Sequence, residues 1–173
     1  MIHVSVNERR VVRCSAALDL KLPPLSVWGQ LRDFRRYARQ DLFHAAVNVE
    51  GGLPKTGAAL RLSHHYCGLR VRRYGRILLW REGVGFSFSD LSFRGPRHGF
   101  PHVLTFRIEP MPNGARLQIC VTGLWTAGLC PRRLAQLWLR WVFGQVVRCV
   151  RNELLIYQLW REQRPYRMSP VNS

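Results

Sequence analysis

The sequence predicts an α+β protein in which a run of antiparallel strands is followed by one long C-terminal helix. The first observation behind this fold class is a series of strand-like stretches separated by the short turns "CG", "EG", "RGPRHGFP" and "PMPNG". Connections this short join antiparallel neighbours. The second observation is a stretch without proline that follows Pro131 and runs to about Trp160. The predicted strands of the series cover residues 58–67, 69–82, 84–92, 102–110 and 115–125.

Another strand and a short helix precede this series. Residues 11–22, "VVRCSAALDLKL", alternate in polarity as a half-buried strand does. The apolar face of that strand comprises Cys14, Ala16, Leu18, Leu20 and Leu22. Pro23 and Pro24 end it, and Ser26 is the predicted N-cap of the helix that follows. The apolar residues Val27, Trp28, Leu31 and Phe34 follow the spacing of one helix face.

The long C-terminal helix is predicted to bury one side. It begins with Pro131 at the helix start, and at ~1.5 Å per residue it is more than ~40 Å long. At about 100° per residue one apolar stripe forms, and Glu153 falls within it as a carboxylate on the buried side. The stripe comprises Ala135, Trp138, Val142, Val146, Cys149, Ile156 and Trp160. Its most apolar part, residues 134–150, includes Arg140 and Arg148 and is shorter than the ~20 residues of a membrane span.

The composition is that of one ordinary domain with an unusual charge. The chain has 173 residues, of which 47% are hydrophobic and 21% are charged, and its formal net charge is +17. A charge of this size attracts nucleic acid, anionic membrane surfaces or acidic ligands. The arginines are scattered without a dense basic tract, so a generally basic surface is the alternative explanation. Because no known RNA-binding motif is present, nucleic acid is not an expected partner.

The cysteines and the N-terminus predict a reducing, cytoplasmic location. The five cysteines are odd in number and widely spaced, with no C-x-x-C pair, which argues against a disulfide framework and a zinc knuckle. The first residues, "MIHVSVNERRVV", lack the apolar stretch of a signal peptide.

Two segments carry a resemblance to a known superfamily. "LDLKLPPLSVWGQLRDFRRYAR" is similar to a strand, proline turn and helix, and "GRILLWREGVGFSFSDLS" is similar to a mid-sheet hairpin, of the SRPBCC (START-like) superfamily. This superfamily includes polyketide cyclases/dehydrases, birch-pollen-allergen-like proteins and lipid-transfer proteins. The resemblance spans residues 10–160, which we take as a single domain followed by a flexible tail, 161–173. It implies the helix-grip fold, a curved sheet wrapped around the long helix with a largely apolar cavity between them. It specifies no activity, since one fold hosts many functions.

The alternation of the strands predicts which polar side chains face inward. Leu60 and Leu62 mark the inner face of their strand, so His64 and Tyr66 continue it. His65 then points outward, and adjacent histidines on opposite faces cannot bind one metal together, so we expect no metal site. On the next strands, Val84, Phe86 and Phe88 place Asp90 inward, and Leu104, Phe106 and Ile108 place His102 inward. The parity of 69–82 stays ambiguous, with Tyr74, Arg76, Leu78 and Trp80 competing against Ile77 and Leu79 for the inner face.

Together these positions form the predicted lining of a ligand site. The residues assigned to it are His64, Tyr66, Trp80, Phe86, Phe88, Asp90, His102, Phe106, Trp125, Trp138, Val142, Val146 and Glu153. Candidates for proton transfer are His64, Tyr66, Asp90 and His102, because apolar pockets favour acid–base work by such groups. The structural alternative is that Asp90 accepts loop N–H bonds and that Glu153 pairs with an arginine such as Arg73 or Arg76. The loop "RGPRHGFPH", which contains His98, is either a lid over the pocket or a plain connection.

Three functions stay open at this point. The first is binding or transport of a hydrophobic small molecule such as a lipid, isoprenoid or polyketide, with no cofactor. The second is an enzyme of the cyclase or dehydratase type. The third is docking of a basic surface on an anionic membrane. The sequence does not determine the ligand, the oligomeric state or whether a reaction is catalysed.

Overall fold

The computed structural model describes residues 2–33, 44–66, 69–92, 100–126 and 131–163, which form eight strands and two helices. The predicted lid around His98 and most of the predicted tail lie outside these residues, as do Phe34, Cys67 and Cys130. In chain order the elements are β1 (Ile2–Val6), β2 (Val11–Leu20), α1 (Pro24–Leu31), β3 (His44–Val49), β4 (Ala59–Tyr66), β5 (Leu69–Arg81), β6 (Gly85–Ser92), β7 (His102–Met111), β8 (Gly114–Leu124) and α2 (Arg132–Glu162).

The strands form one antiparallel sheet in the order β1-β2-β8-β7-β6-β5-β4-β3. The five strands predicted after the first helix are confirmed to within one or two residues at each end, and so is the strand at 11–22. The α+β class, a curved antiparallel sheet with a long C-terminal helix, is therefore confirmed.

The strands β1 and β3, at the two edges of the sheet, were not predicted from the sequence. β1 is only five residues long and pairs with β2 through a short turn, in which Val11 donates its N–H to Asn7 Oδ1 at 2.8 Å. β3 is six residues long and pairs with β4 around an irregularity between His44 and Ala46. Edge strands this short contain too few alternating apolar and polar positions for a sequence pattern to identify them.

The core lies between the inner face of the sheet and the helices. The inner face of β2 is buried as predicted, apart from Leu18, which is half-buried. Three phenylalanines from neighbouring strands fill the centre, with Phe86 4.9 Å from Phe106 and 6.3 Å from Phe88 between ring centroids. Each of these rings is at most 2% exposed, so together they remove several hundred Å² of apolar surface from water.

Helix α2 is present as predicted, but its predicted stripe is wrong. Ala135 is buried, whereas Trp138, Ile156 and Trp160 are exposed. Apart from Ala135, the buried residues lie one position further along the helix than predicted, which is a rotation of about 100°. The buried line comprises Ala135, Leu139, Phe143, Val147, Val150 and Leu154. No helix in the described part of the chain is long and apolar enough to cross a membrane.

Two smaller predictions are also corrected. Ser26 is not an N-cap, because α1 already begins at Pro24 and Ser26 lies in its first turn. Its hydroxyl instead accepts a hydrogen bond from Arg161 at 2.8 Å, which ties α1 to the end of α2. Val84 is exposed, because it belongs to the turn before β6 rather than to the strand itself.

Candidate functional site

A buried polar cluster crosses four neighbouring strands at one end of the inner face. It comprises His64 on β4, Arg73 on β5, Asp90 on β6 and His102 on β7. Asp90 and His102 are direct cross-strand partners. The inward orientation of His64, Asp90 and His102 is thus as the alternation predicted.

Asp90 is the centre of this polar cluster. Its side chain is fully buried, and its two carboxylate oxygens accept hydrogen bonds from different residues. Arg73 Nε donates to Oδ1, and His64 Nε2 lies 2.7 Å from Oδ2. The Arg73 guanidinium also donates to the backbone oxygens of Asp90 and Phe100, at 3.1 and 2.9 Å. A carboxylate removed from water is stable only with such partners.

The hydrogen bonds determine where the histidine protons lie. A carboxylate and a carbonyl only accept, so His64 donates from Nε2 to Asp90, and His102 donates from Nδ1 to the Phe100 oxygen at 2.8 Å. His102 Nε2 then faces Asp90 Oδ2 at 3.8 Å, too far for a direct hydrogen bond. His102 Nε2 is thus the histidine nitrogen of the cluster that faces Asp90 across this wider gap, and the His102 side chain is 14% exposed.

A row of aromatic rings leads from this polar cluster to helix α2. The His102 ring stacks on Phe100 at 4.8 Å, Phe100 lies 6.1 Å from Trp125, and Trp125 lies 5.6 Å from Trp138 on α2. Phe100 and Trp125 are half-buried, and Trp138 is exposed. We call these four residues the aromatic row. Its rings form a series of flat apolar surfaces from the sheet to the helix.

The indole N–H of Trp125 is the unusual feature of the aromatic row. The Nε1 atom is buried, and no acceptor within the described residues reaches it. A buried donor without a partner costs ~1–3 kcal/mol, so such groups call for an explanation. An acceptor atom of a bound ligand would provide one.

The remaining predicted site residues are distributed over the core and the helix. Trp80 packs edge-on against Trp28 at 4.9 Å and tilted against Phe86 at 5.5 Å, in an aromatic group at the other end of β6. The register between β5 and β6 shifts between Ile77 and Leu79, and Trp80 follows this shift and pairs with Phe86. Val142, Val146 and Glu153 are half-buried on α2, and the Tyr66 side chain lies outside what the structure describes. The assignment of these residues to a ligand site stays a prediction.

Arg73 is a residue of the site that the sequence pattern does not indicate. It was named only as a partner for Glu153, and its actual partner is Asp90. Arg73, Gly75 and Ile77 are all buried, which settles the parity of this part of β5. A single buried arginine within a strand of exposed arginines leaves no signal in the sequence.

The described residues form two pockets of ≈ 330 Å³ each. One is at the end of α1 beside β3. The other lies on β3, β4 and β5, and it is lined by exposed arginines and by Arg73 of the polar cluster. Neither is lined by His64, Asp90 or His102. No group of three histidine, cysteine or acidic side chains suited to hold a metal ion occurs among the described residues.

The sheet and the long helix form a helix-grip fold, and the polar cluster and the aromatic row lie at one end of it. Solved structures of other proteins have the same fold. Ara h 8.0201 superposes with a TM-score of 0.61 at 11% identity, covering 84% of this chain and 98% of its own. NE0264 from Nitrosomonas europaea gives 0.62 at 12% identity, over 89% of this chain and 99% of its own. The di-domain ARO/CYC protein StfQ from the steffimycin biosynthetic pathway gives 0.71 at 13% identity, over 90% of this chain but only 54% of its own.

These similarities establish the helix-grip fold that the resemblance to the SRPBCC superfamily implied. Neither a protein-family model nor a curated protein matches the sequence. At these identities a shared fold carries no shared activity, so function must be argued from the site.

Proposed function

We propose that the protein binds a hydrophobic small molecule that carries an acceptor oxygen, with the aromatic row as its contact surface. The observation that carries this proposal is the buried indole N–H of Trp125, which lacks an acceptor within the described residues. It lies in the middle of a row whose rings are 4.8–6.1 Å apart. Apolar surface with a few convergent polar groups is the usual composition of a small-molecule site.

The polar cluster supports this function by holding the row in place. Arg73 donates to the Phe100 oxygen, which also accepts from His102 Nδ1, so both residues at the sheet end of the row are anchored to Asp90. Anchoring of this kind reduces the entropy lost when a ligand binds. Among similarly folded structures, StfQ and BexL are named as di-domain ARO/CYC proteins of biosynthetic pathways, which fits a hydrophobic small molecule as the ligand class.

Proton transfer to such a molecule is the second candidate function. It is favoured by one observation, the placement of His102 Nε2 at 3.8 Å from a carboxylate and next to the row. In this function His102 takes a proton from the ligand at Nε2, and Asp90 stabilises the resulting charge. His64 is less suited to this role, because it is only 2% exposed and already donates to Asp90.

A pair of neutral fluorescent ligands tests the first candidate. Prodan, a dimethylaminonaphthalene with a propionyl group, offers a carbonyl acceptor, and 2-(dimethylamino)naphthalene lacks it. We expect the wild-type protein to bind prodan more tightly. Trp125→Phe keeps a ring but removes the donor, so it should weaken prodan binding about fivefold and leave the second compound unaffected. The affinities of both compounds are measured by equilibrium dialysis.

The matched control is Trp160→Phe, the same change on an exposed tryptophan of α2 away from the row. It should leave both affinities unchanged. The proposal is wrong if the wild-type protein binds neither dye, or if Trp125→Phe changes both affinities by the same factor.

A further inference from the structure

The outer side of helix α2, opposite its buried line, carries two clusters of large exposed apolar residues. The first cluster comprises Leu134, Leu137, Trp138 and Trp141, and the second comprises Leu155, Ile156, Leu159 and Trp160. We call them the outer patches. Leu137 is 65% exposed and Ile156 is 66% exposed. Exposed apolar residues scattered singly need no explanation, but contiguous patches mark interaction sites.

The outer patches are aligned with each other by the helical period. Leu137 and Leu155, Trp138 and Ile156, and Trp141 and Leu159 are each 18 residues apart. Five turns of 3.6 residues make 18, so the members of each pair point in the same direction and lie about 27 Å apart along the axis. Two patches that share one direction over this distance fit a flat partner that the helix lies along.

Exposed arginines lie along one flank of the outer patches. Arg133, Arg140 and Arg151 are exposed, and at 100° per residue they fall on the same side of the apolar face. Arg148 is also exposed and lies on that face, between the two patches. An apolar helical face containing tryptophan, bordered by arginine, is typical of helices that lie in the interface of an anionic membrane. Arginine side chains there reach the lipid phosphates while their aliphatic stems rest on the apolar surface.

We propose that the protein docks on anionic lipid bilayers through the outer patches, with helix α2 parallel to the membrane plane. Either a membrane or a second copy of the chain could cover the outer patches, and the charge of the protein favours the membrane. Two copies would each bring a net charge of +17 and the same arginine flank into contact, and they would repel. A bilayer with anionic headgroups attracts the same flank.

Docking in this orientation places the ligand site close to the lipid. Trp138 belongs both to the first outer patch and to the aromatic row, where it contacts Trp125. A hydrophobic ligand could then enter from the bilayer without crossing water. The docking itself does not depend on the proposed ligand.

Co-sedimentation with vesicles tests the docking surface. The full chain is mixed with vesicles of phosphatidylcholine alone, or of phosphatidylcholine with phosphatidylglycerol, at low and moderate salt. We expect binding only to the second composition and weaker binding at higher salt. The double variant L137S/I156S should weaken binding about tenfold or more, since it removes two inserted side chains. Its matched control, L25S/L53S, changes two residues that are 74% and 79% exposed outside α2 and should bind as the wild type.

A second pair of variants tests the arginine flank. R140Q/R151Q and R13Q/R76Q remove the same charge, from α2 and from exposed positions on the sheet. We expect about fivefold weaker binding per flank arginine and a clearly smaller effect of the sheet pair.

Three outcomes would overturn the docking proposal. They are an equal loss for both arginine pairs, vesicle binding by L137S/I156S at the wild-type level, and a wild-type dimer in light scattering that L137S/I156S dissociates. Prodan binding without vesicles should be the same for L137S/I156S and the wild type, so failure of docking and failure of the ligand site are read separately.

Discussion

Two aspartate–arginine pairs bridge neighbouring strands on opposite faces of the sheet. On the outer face, Arg116 of β8 donates to both carboxylate oxygens of Asp19 on β2, at 2.7 and 3.1 Å. On the inner face, Arg73 of β5 donates to Asp90 of β6. The side chains of the outer pair are 42% and 59% exposed, whereas those of the inner pair are 8% and 0% exposed.

The difference between the pairs lies in their surroundings rather than in the groups themselves. Water and salt solvate the outer pair in the folded and unfolded states alike, so its formation changes little in free energy. The inner pair has lost its water and depends on His64, on its own backbone and on the Phe100 oxygen for hydrogen bonds. The same chemistry therefore serves as a surface contact in one place and as the anchor of a site in the other.

Breaking the inner pair should have the largest effect. Asp90→Asn leaves the buried Arg73 guanidinium without a counter-charge, and we expect the free energy of unfolding to fall by ~3–5 kcal/mol. The measurement is urea unfolding followed by circular dichroism. A loss below about 1 kcal/mol would mean that the cluster is solvated and that the contrast between the faces is wrong.

The double variant Arg73→Met with Asp90→Asn removes both charges of the inner pair but keeps most of the side-chain volume. Because no charge then remains buried, we expect the double variant to be more stable than Asp90→Asn alone.

The two faces of the sheet can also be compared through the reactivity of one cysteine on each face. Burial on the inner face raises the pKa of the Cys14 thiol to about 12. Cys120 is on the outer face and half-buried, and burial raises its pKa as well. The thiolate is the reactive form, so near pH 8 Cys14 should carry about a thousandfold less thiolate than a thiol at its ordinary value of 9.0.

We therefore expect iodoacetamide to label Cys120 well before Cys14, with Cys14 modified only as the chain unfolds. Peptide mass spectrometry over a time course measures both rates. Equal rates in the folded protein would show that the inner face at β2 opens to solvent.

Breaking the outer pair should have the smallest effect. Hydrogen bonding from Arg116 holds the pKa of Asp19 below its ordinary value of 3.8. A lowered pKa in the folded state stabilises the fold above that ordinary value, and the contribution is lost as the pH falls through the lowered one. Because the pair is exposed, Asp19→Asn should leave the urea midpoint at pH 7 within experimental error of the wild type. A midpoint shift as large as that of Asp90→Asn would contradict the comparison.

The sequence predicted the sheet well because strand alternation is a local property. Apolar residues at every second position of β4, β6 and β7 were enough to assign His64, Asp90 and His102 to the inner face, where they lie. They converge because β4 to β7 are consecutive neighbours in the sheet.

The same kind of pattern failed on the long helix. Large apolar residues occupy both the buried line and the outer patches of α2, so the apolar face is too wide for the periodicity to identify the buried side. Trp138 was expected to be buried and is exposed, whereas Phe143 and Leu154 are buried and were not predicted. A helix that is apolar on two sides cannot be oriented from its own sequence.

The sequence alone determined the order of the elements, the faces of most strands and the basic charge, because these follow from neighbouring residues and composition. Only the tertiary structure decided that Arg73 pairs with Asp90, that the aromatic row reaches from His102 to Trp138, and which side of α2 faces outward. Each of these features joins residues that are distant in the chain. Their contacts depend on the curvature of the sheet and the rotation of the helix, which no local pattern encodes.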